Sequence, residues 1–433
     1  MRAVCFSISC LLLPQLVPGW GAFAWTWTTA QIPASHRQRR QTVRYQETGN
    51  GNNPGEPPGK RRARYSGKYP RNFSEKYKEQ RGDQVVIQKV LEKGMTPAGT
   101  HVPIMIDECL QHLNLGSHQG DTSYSSEPLL VVDCTLGYGG HSSLMLQALV
   151  QAGNPNSKLV AFDQDPLEIV KTDQRLRDMI QQELSMENTE DILTTINQNF
   201  QTLGSYLEST GQSGHVTCLL ADLGLSSMQI DDNLRGFTYK REGPLDMRMN
   251  ADLGQESAFD FLSRLKPKEF QKMLEENSDE EYASEISFGI LGAKKKAKIP
   301  ETTVELAEKV RDIVRPLLST KPKPNKKVTE KQLLDSTVAR VMQAIRIEVN
   351  GEFRALEQLL EDLPKVLAPG GRAVFLTFHS GEDRRVKKAF KSGFKSGIYS
   401  SWSRDVVRPS AQERRNNPRS SCCKLRWVIR SLQ

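Results

Sequence analysis

The chain has 433 residues, of which 37% are hydrophobic and 25% charged, so much of it is soluble and globular, with room for two or three domains. No uninterrupted apolar run reaches membrane-spanning length, and the seven cysteines form no C-x-x-C pair, which argues for a reduced interior without a structural zinc site. The net charge of +8 is uneven: residues 1–81 hold 14 Lys/Arg against 4 Asp/Glu and residues 384–433 hold 14 against 2, so the two ends carry +10 and +12 and the middle −14. Contact with a polyanion is therefore expected at the ends or at local basic clusters.

Residues 1–46 contain no Asp or Glu, carry Arg2, Arg37, Arg39, Arg40 and Arg44, and are rich in Ser, Thr and Trp. That composition predicts a mitochondrial presequence. A secretory signal competes through the apolar stretch Ala3 to Val17 and the Ala22-Phe23-Ala24 site, but Pro14 interrupts the stretch and the acid-free, Arg-bearing run continues past Ala24. Residues 47–95 contain NGNNPGEPPGKRRAR and read as a basic linker that cannot bury a core. From residue 96 the chain reads as a domain, first with a helix in HVPIMIDECLQHL, His101 to Leu113.

The stretch LLVVDCTLGYGGH, Leu129 to His141, organises the rest of the domain. Its aliphatic start predicts a strand buried on both faces, Gly137, Gly139 and Gly140 allow a tight turn, and a helix over Ser142 to Ala152 ends at Gly153. Strand, glycine turn and helix N-terminus suit a nucleotide-like ligand, although Ser142 stands where a dinucleotide fingerprint wants a third glycine. A second strand, Leu159 to Phe162, completes a parallel crossover unit and ends at Asp163. That carboxylate can accept from both ribose hydroxyls; its plainer role is a helix cap, for which Asp165 before Pro166 is the better candidate. A third segment, Ile192 to Ile196, leads to Phe200, which can flank an adenine or simply join the core.

The fourth strand begins in HVTCLLADLGLSS and ends at Asp222, so Asp133, Asp163 and Asp222 are expected at one crevice beyond the carboxyl ends of the strands. Gln229, the turn Arg235 to Phe237 and the loop Pro244 to Met249 should pack over it. Residues 250–335 lose the strand pattern and predict an inserted helical domain, with basic clusters Lys294 to Lys298 and Lys321 to Lys327 that are either solvated surface or phosphate contacts. Residues 336–433 resume the core. Val341, Ile345, Val349, Phe353, Leu356, Leu360 and Leu363 predict one long amphipathic helix, stopped by Pro369-Gly370-Gly371. A fifth strand, Ala373 to Phe378, delivers His379, which either touches substrate or precedes a capping box of Ser380 with Asp383. The basic end reads as a solvated or RNA-contacting tail that closes with a strand, Leu425 to Ile429.

Nicotinamide cofactors and S-adenosylmethionine both suit such a crevice, and DLGLSS favours the second. It sets a carboxylate, Asp222, beside Ser226 and Ser227 at the reactive end of the cofactor. Methyl transfer to an exocyclic amine needs such acceptors to hold the N–H hydrogens and aim the lone pair.

HVPIMIDECLQHL, DCTLGYGGHSS, FDQDP, NQNF, DLGLSSMQIDDNLRGFTY, GPLDMRMN, QAIRIEVNGEF, FLTFHSGEDRRVKKAF and NPRSSCCKLR occur in this order. Together they resemble the bacterial MraW (RsmH) family of small-subunit ribosomal RNA cytosine-N4 methyltransferases, over residues 97–430 apart from the insert. The resemblance implies an α/β fold, a Rossmann-like class I methyltransferase core with a mostly parallel sheet and an inserted all-helical domain. It also implies S-adenosyl-L-methionine as donor and ribosomal RNA or a small ribosomal subunit precursor as partner, and the expected presequence adds the mitochondrial matrix as location. The family's cofactor contacts fall on Gly139, Gly140, His141, Asp163, Phe200, Asp222 and Gln229, with Gly137 in the same turn. Three departures stand out: Cys134 for a glycine, Gly381 for the leucine of the His-Ser-Leu-Glu-Asp motif, and Ser336 to Ala339 for His-Pro-Ala-Thr. A ribosome-assembly factor that keeps the fold without catalysis is the rival reading.

Overall fold

Buried strands arise where β-branched and aliphatic residues run together, and helices packed on both sides cover the two faces of the sheet. The computed structural model describes residues 103–115, 127–154, 156–186, 188–251, 254–292, 298–318 and 328–433. The expected presequence and linker, the cluster Lys321 to Lys327 and all of the other cluster except Lys298 lie outside these residues. The first half of the core contains α1 (Ile106–Leu113), β1 (Leu130–Asp133), α2 (Gly140–Ala152), β2 (Lys158–Phe162), α3 (Pro166–Gln182), β3 (Leu193–Ile196), α4 (Leu203–Ser209), β4 (Val216–Asp222) and the short α5 (Ser227–Asp231). Then come α6 (Ala258–Arg264), α7 (Pro267–Ser278), α8 (Ala283–Leu291), α9 (Thr303–Leu318), α10 (Glu330–Asn350) and α11 (Glu352–Val366). The chain closes with β5 (Leu367–Thr377), α12 (Ser380–Lys395), β6 (Tyr399–Trp402), α13 (Ala411–Asn416) and β7 (Lys424–Arg430).

The seven strands lie in the order β3-β2-β1-β4-β5-β7-β6. Strands β1 to β5 pair in parallel, and β7 runs antiparallel between β5 and β6. This is the Rossmann-like α/β core implied by the resemblance. Alternate residues face opposite sides: Val131, Leu159, Cys218, Leu220 and Val374 join α1 and α2, while Val132, Val160, Phe162, Leu219 and Phe375 join α4 and α11. Strand order reverses between β1 and β4, the place where an open parallel sheet leaves a crevice. Among the described residues, no helix is long and apolar enough to cross a membrane.

Three expectations change. The single long helix is two, because Gly351 adopts a left-handed φ of 62° and caps α10, after which α11 departs on a new axis. Helix α10 crosses the expected boundary at residue 335, and its Leu334, Val338, Val341, Ala344 and Ile345 close the core of the helical insert with Phe270, Leu274, Ile286, Leu306 and Val310. The basic end, moreover, is no solvated tail. It supplies α12, β6 and β7, and the buried Arg426 and its neighbour Lys424 are neutralised by Asp383 at 2.6 and 2.9 Å.

Asn350 ties insert to core at the joint. Its Nδ2 donates to the carbonyl of Met247, and its Oδ1 accepts from the N–H of Met249, each at 2.8 Å. The loop expected to roof the site is thereby pinned to α10, with Leu245 and Met247 in the insert core and Met249 on the cavity wall.

Candidate active site

A cavity of about 640 Å³ opens beyond the carboxyl ends of β1, β2, β4 and β5, a volume suited to a cofactor-sized ligand. Gly137, Gly140, His141, Asp163, Phe200, Asp222, Ser226 and Gln229 all line it. Asp133 does not join them. Its carboxylate is 1% exposed and accepts from Ser142 Oγ at 2.6 Å and Thr135 N–H at 3.0 Å, which locks the start of α2 onto β1. Convergence thus involves two carboxylates rather than three.

Asp163 accepts from the backbone N–H groups of Gly137 at 2.7 Å and Asp165 at 2.8 Å, so it ties the glycine turn to the end of β2. Burial pushes its pKa up to about 6 despite those two donors. Helix capping falls to Asp165, whose Oδ1 accepts from Leu167 and Glu168 N–H. Asp163 is left to face the cavity.

Asp222 is the other carboxylate. Its Oδ1 is buried without a hydrogen-bond partner, and its Oδ2 lies 3.6 Å from His141 Nδ1. Burial raises its pKa to about 6; His141 opposes that shift, while Asp133 and Glu382 reinforce it. The side chain as a whole is 27% exposed along the cavity, so water there offsets part of the desolvation. His141 is oriented by Ile104, whose carbonyl oxygen lies 3.0 Å from Nε2. An acceptor with an open lone pair therefore waits at the strand end where the DLGLSS sequence placed it.

A second group of residues lines the same cavity: Gln343, Arg346, Glu352, Phe353, Phe378, His379 and Glu382. Arg346 on α10 grips Glu352 on α11 with Nε to Oε1 at 2.7 Å and Nη2 to Oε2 at 2.8 Å. Burial would lower the guanidinium pKa, but Glu352 holds it above its ordinary value. Burial would raise that of Glu382, yet His379, the Phe378 N–H and Arg346 hold it below the usual carboxylate range. His379 is the residue that precedes α12, one earlier than the expected Ser380, and Glu382 Oε2 caps it by accepting from the N–H groups of Phe378 and His379 at 2.8 and 3.4 Å. Its Nε2 lies 3.1 Å from Glu382 Oε1 without hydrogen-bond alignment, and neither ring nitrogen has a hydrogen-bond partner. Glu352, His379 and Glu382 bring one donor atom each within 4.8 Å of one another, but both Glu352 oxygens are already taken by Arg346.

The model of the MraW methylase family matches residues 98–431. The chain belongs to this family. Among curated relatives, the ribosomal RNA small subunit methyltransferase H 1 of Lachnoclostridium phytofermentans is 43% identical over 345 residues, covering 80% of this chain and 85% of its own. Its namesake from Agathobacter rectalis is also 43% identical, covering 80% and 89%. Ribosomal RNA small subunit methyltransferase H of Acidobacterium capsulatum is 33% identical, covering 75% and 97%.

The donor of an MraW methylase is S-adenosylmethionine, and the cavity fits it. Gly137, Gly140 and Asp163 form the wall at the helix N-terminus, and Asp222 brings an acidic acceptor that tolerates a sulfonium. When bound, S-adenosylmethionine supplies an electrophilic methyl group. Ser226 and Gln229 serve this MraW methylase differently from the sequence expectation. They form a capping box for α5, with Ser226 Oγ accepting from Gln229 N–H and Gln229 Oε1 from Ser226 N–H. Gln229 Nε2 donates to Asp165 at 2.9 Å, so its amide braces the wall. Ser227 is the first residue of α5. Phe200 opens the turn after β3, half-buried against the core that contains Phe162.

Gly139 does not line the cavity. At a φ of 75°, a Cβ there would meet Thr172 Cγ2 of α3 at 2.8 Å, so its glycine serves helix packing. Gly139→Ala is expected to cost about 2–4 kcal/mol from left-handed strain and overpacking together. A fall in urea midpoint at unchanged m-value would report this, and an unshifted midpoint would refute it. The Gly381 departure also has a packing cause: a Cβ there would lie 2.5 Å from Cζ of Phe353, whose ring occupies the space.

Proposed function

We propose that this chain transfers methyl groups from S-adenosylmethionine to the N4 amine of a cytosine in mitochondrial small-subunit ribosomal RNA, and so supports assembly of that subunit. The observation that carries the reading is Asp222 on the cavity wall, with its Oδ1 left without a hydrogen-bond partner. An exocyclic amine delocalises its lone pair into the ring. An acceptor for its N–H rotates that lone pair toward the methyl carbon. As nitrogen bonds to carbon, the sulfur–carbon bond breaks with its electron pair left on sulfur, and the amine becomes acidic. Asp222, already pushed up to about 6, is then placed to take the N4 proton.

The family and the names of its curated relatives support ribosomal RNA as substrate, and the acid-free, Arg-bearing first 46 residues support the mitochondrial location. Small-subunit rRNA from cells lacking the protein, treated with enzyme and S-adenosylmethionine, should gain N4-methylcytidine by nucleoside mass spectrometry. Methyl groups on another base would overturn the N4 reading, and no transfer would favour the assembly-factor role. Fractionation of cells expressing the full chain should place it with matrix markers.

A further inference from the structure

Besides His379, two polar positions on the cavity wall have hydrogen-bonding capacity that the described residues leave unused. One is the acceptor Asp222 Oδ1. The other is Arg346: Nε and Nη2 are committed to Glu352, whereas Nη1 makes no hydrogen bond among the described residues. A guanidinium has five N–H donors in a rigid plane, and a bidentate carboxylate fixes that plane. Glu352 therefore acts as a clamp that decides where Nη1 points, and the sharp joint at Gly351 is what lets the two helices present this pair to the cavity.

Asp222 and Arg346 belong to one continuous wall. Strands β4 and β5 are neighbours, with Asp222 in register with Leu376, so Phe378 and His379 emerge beside Asp222. Glu382 lines the same cavity and interacts electrostatically with both Asp222 and Arg346. The same wall thus holds an unpaired acceptor and a cationic donor with a free arm, both within the electrostatic reach of Glu382.

On their Watson–Crick edges, only cytosine and adenine place an exocyclic amine beside an acceptor ring nitrogen. They differ at the far end of the edge, where cytosine carries the O2 carbonyl and adenine a C–H. Bases in single-stranded or flipped RNA are read along this edge. We propose that Arg346, oriented by Glu352, donates from Nη1 to O2 of the target base and is the residue by which the enzyme selects cytosine over adenine. The inference rests on the proposed cytosine specificity. It adds that selection is made at the carbonyl, away from the reacting nitrogen, by a residue in the joint between insert and core.

The test uses Arg346→Met, which removes the donor, and Arg346→Lys, which keeps a cation for Glu352 but lacks a fork with a free arm. Binding of cytidine and adenosine to the full chain with S-adenosylhomocysteine present is followed by saturation-transfer NMR, and methyl transfer to unmodified small-subunit rRNA by radioactivity. Wild type should prefer cytidine. Both variants should lose that preference and fall roughly 10- to 100-fold in kcat/KM for rRNA, with S-adenosylhomocysteine affinity within about twofold of wild type. Because Arg346→Lys preserves the charge pair, its melting curve should stay near that of wild type even if Arg346→Met unfolds. A folded Arg346→Lys enzyme with undiminished cytidine preference and KM would overturn the inference. Wild-type enzyme that transfers no methyl group to cytosine would instead overturn the functional reading.

Discussion

Asp222→Asn should abolish methyl transfer while leaving a better-folded protein. On the activity side, the amide keeps the shape of the side chain but brings an N–H into a position that must accept, and it cannot take a proton. Loss of a positioned acceptor and base of this kind typically costs about 10²- to 10⁴-fold in rate. S-adenosylhomocysteine binding should survive, since the glycine turn and Asp163 are untouched. An Asp222→Asn enzyme with more than a tenth of wild-type kcat would remove Asp222 from the chemistry.

The stability side follows from the same burial. The folded-state pKa of Asp222 is raised to about 6 from 3.8, so at neutral pH the ionised carboxylate opposes folding, and this penalty is relieved as pH falls from above 6 towards 4. Asparagine lacks the penalty at every pH. The variant should therefore be more stable than wild type by about 1–2 kcal/mol at pH 7, the range allowing for cavity water, with the gain disappearing near pH 4. Urea titrations at pH 7 and pH 4.5 measure both ends of this window. The wild-type rate at saturating cofactor should likewise fall tenfold per pH unit below about 6, as the acceptor is protonated. Saturation matters because Asp163, also near 6, governs the cofactor wall.

The parts of this arrangement that are legible in the sequence are those where one stretch of chain carries the whole signal. Strands buried on both faces have to be aliphatic runs, so Leu130–Asp133 and Val216–Asp222 are visible, and so are the carboxylates at the ends of β2 and β4. The joint at Gly351 is hidden because the apolar spacing runs unbroken from Val349 to Phe353 across it. Strand β6, Tyr-Ser-Ser-Trp, is too short and polar to stand out, and it exists because β7 offers it an edge. The basic end looks solvated because its neutralising partner, Asp383, lies about 40 residues earlier. Ser226 and Gln229 do carry a local signal for their structural role, since S-x-x-Q is itself a capping pattern. Arg346 and Glu352 both fall in QAIRIEVNGEF, but nothing local pairs them: six residues apart on one assumed helix they would face different sides, and only the break brings them together.

A large loss of stability is expected on substitution of Asp165. Its carboxylate is 1% exposed and gathers four donors: the Leu167 and Glu168 N–H groups that begin α3, Gln229 Nε2 from α5, and Arg235 Nη1 at 2.9 Å. Arg235 in turn donates through Nη2 to the carbonyl of Met249, so this carboxylate shares with Asn350 the anchoring of the loop that completes the cavity. Asp165→Ala would remove a helix cap and strand a largely buried guanidinium. An orphaned charge of that kind costs about 3–5 kcal/mol, and the effects are not additive because the groups share one network. S-adenosylhomocysteine affinity should fall with stability, since Met249 and Gln229 lose their anchors. The double variant Asp165→Ala, Arg235→Met removes both charges and should regain a substantial part of the stability, while the cap remains lost. If the double variant is no more stable than Asp165→Ala alone, the cost lies in the cap and the backbone rather than in the stranded arginine, and the loop is held by something other than this ion pair.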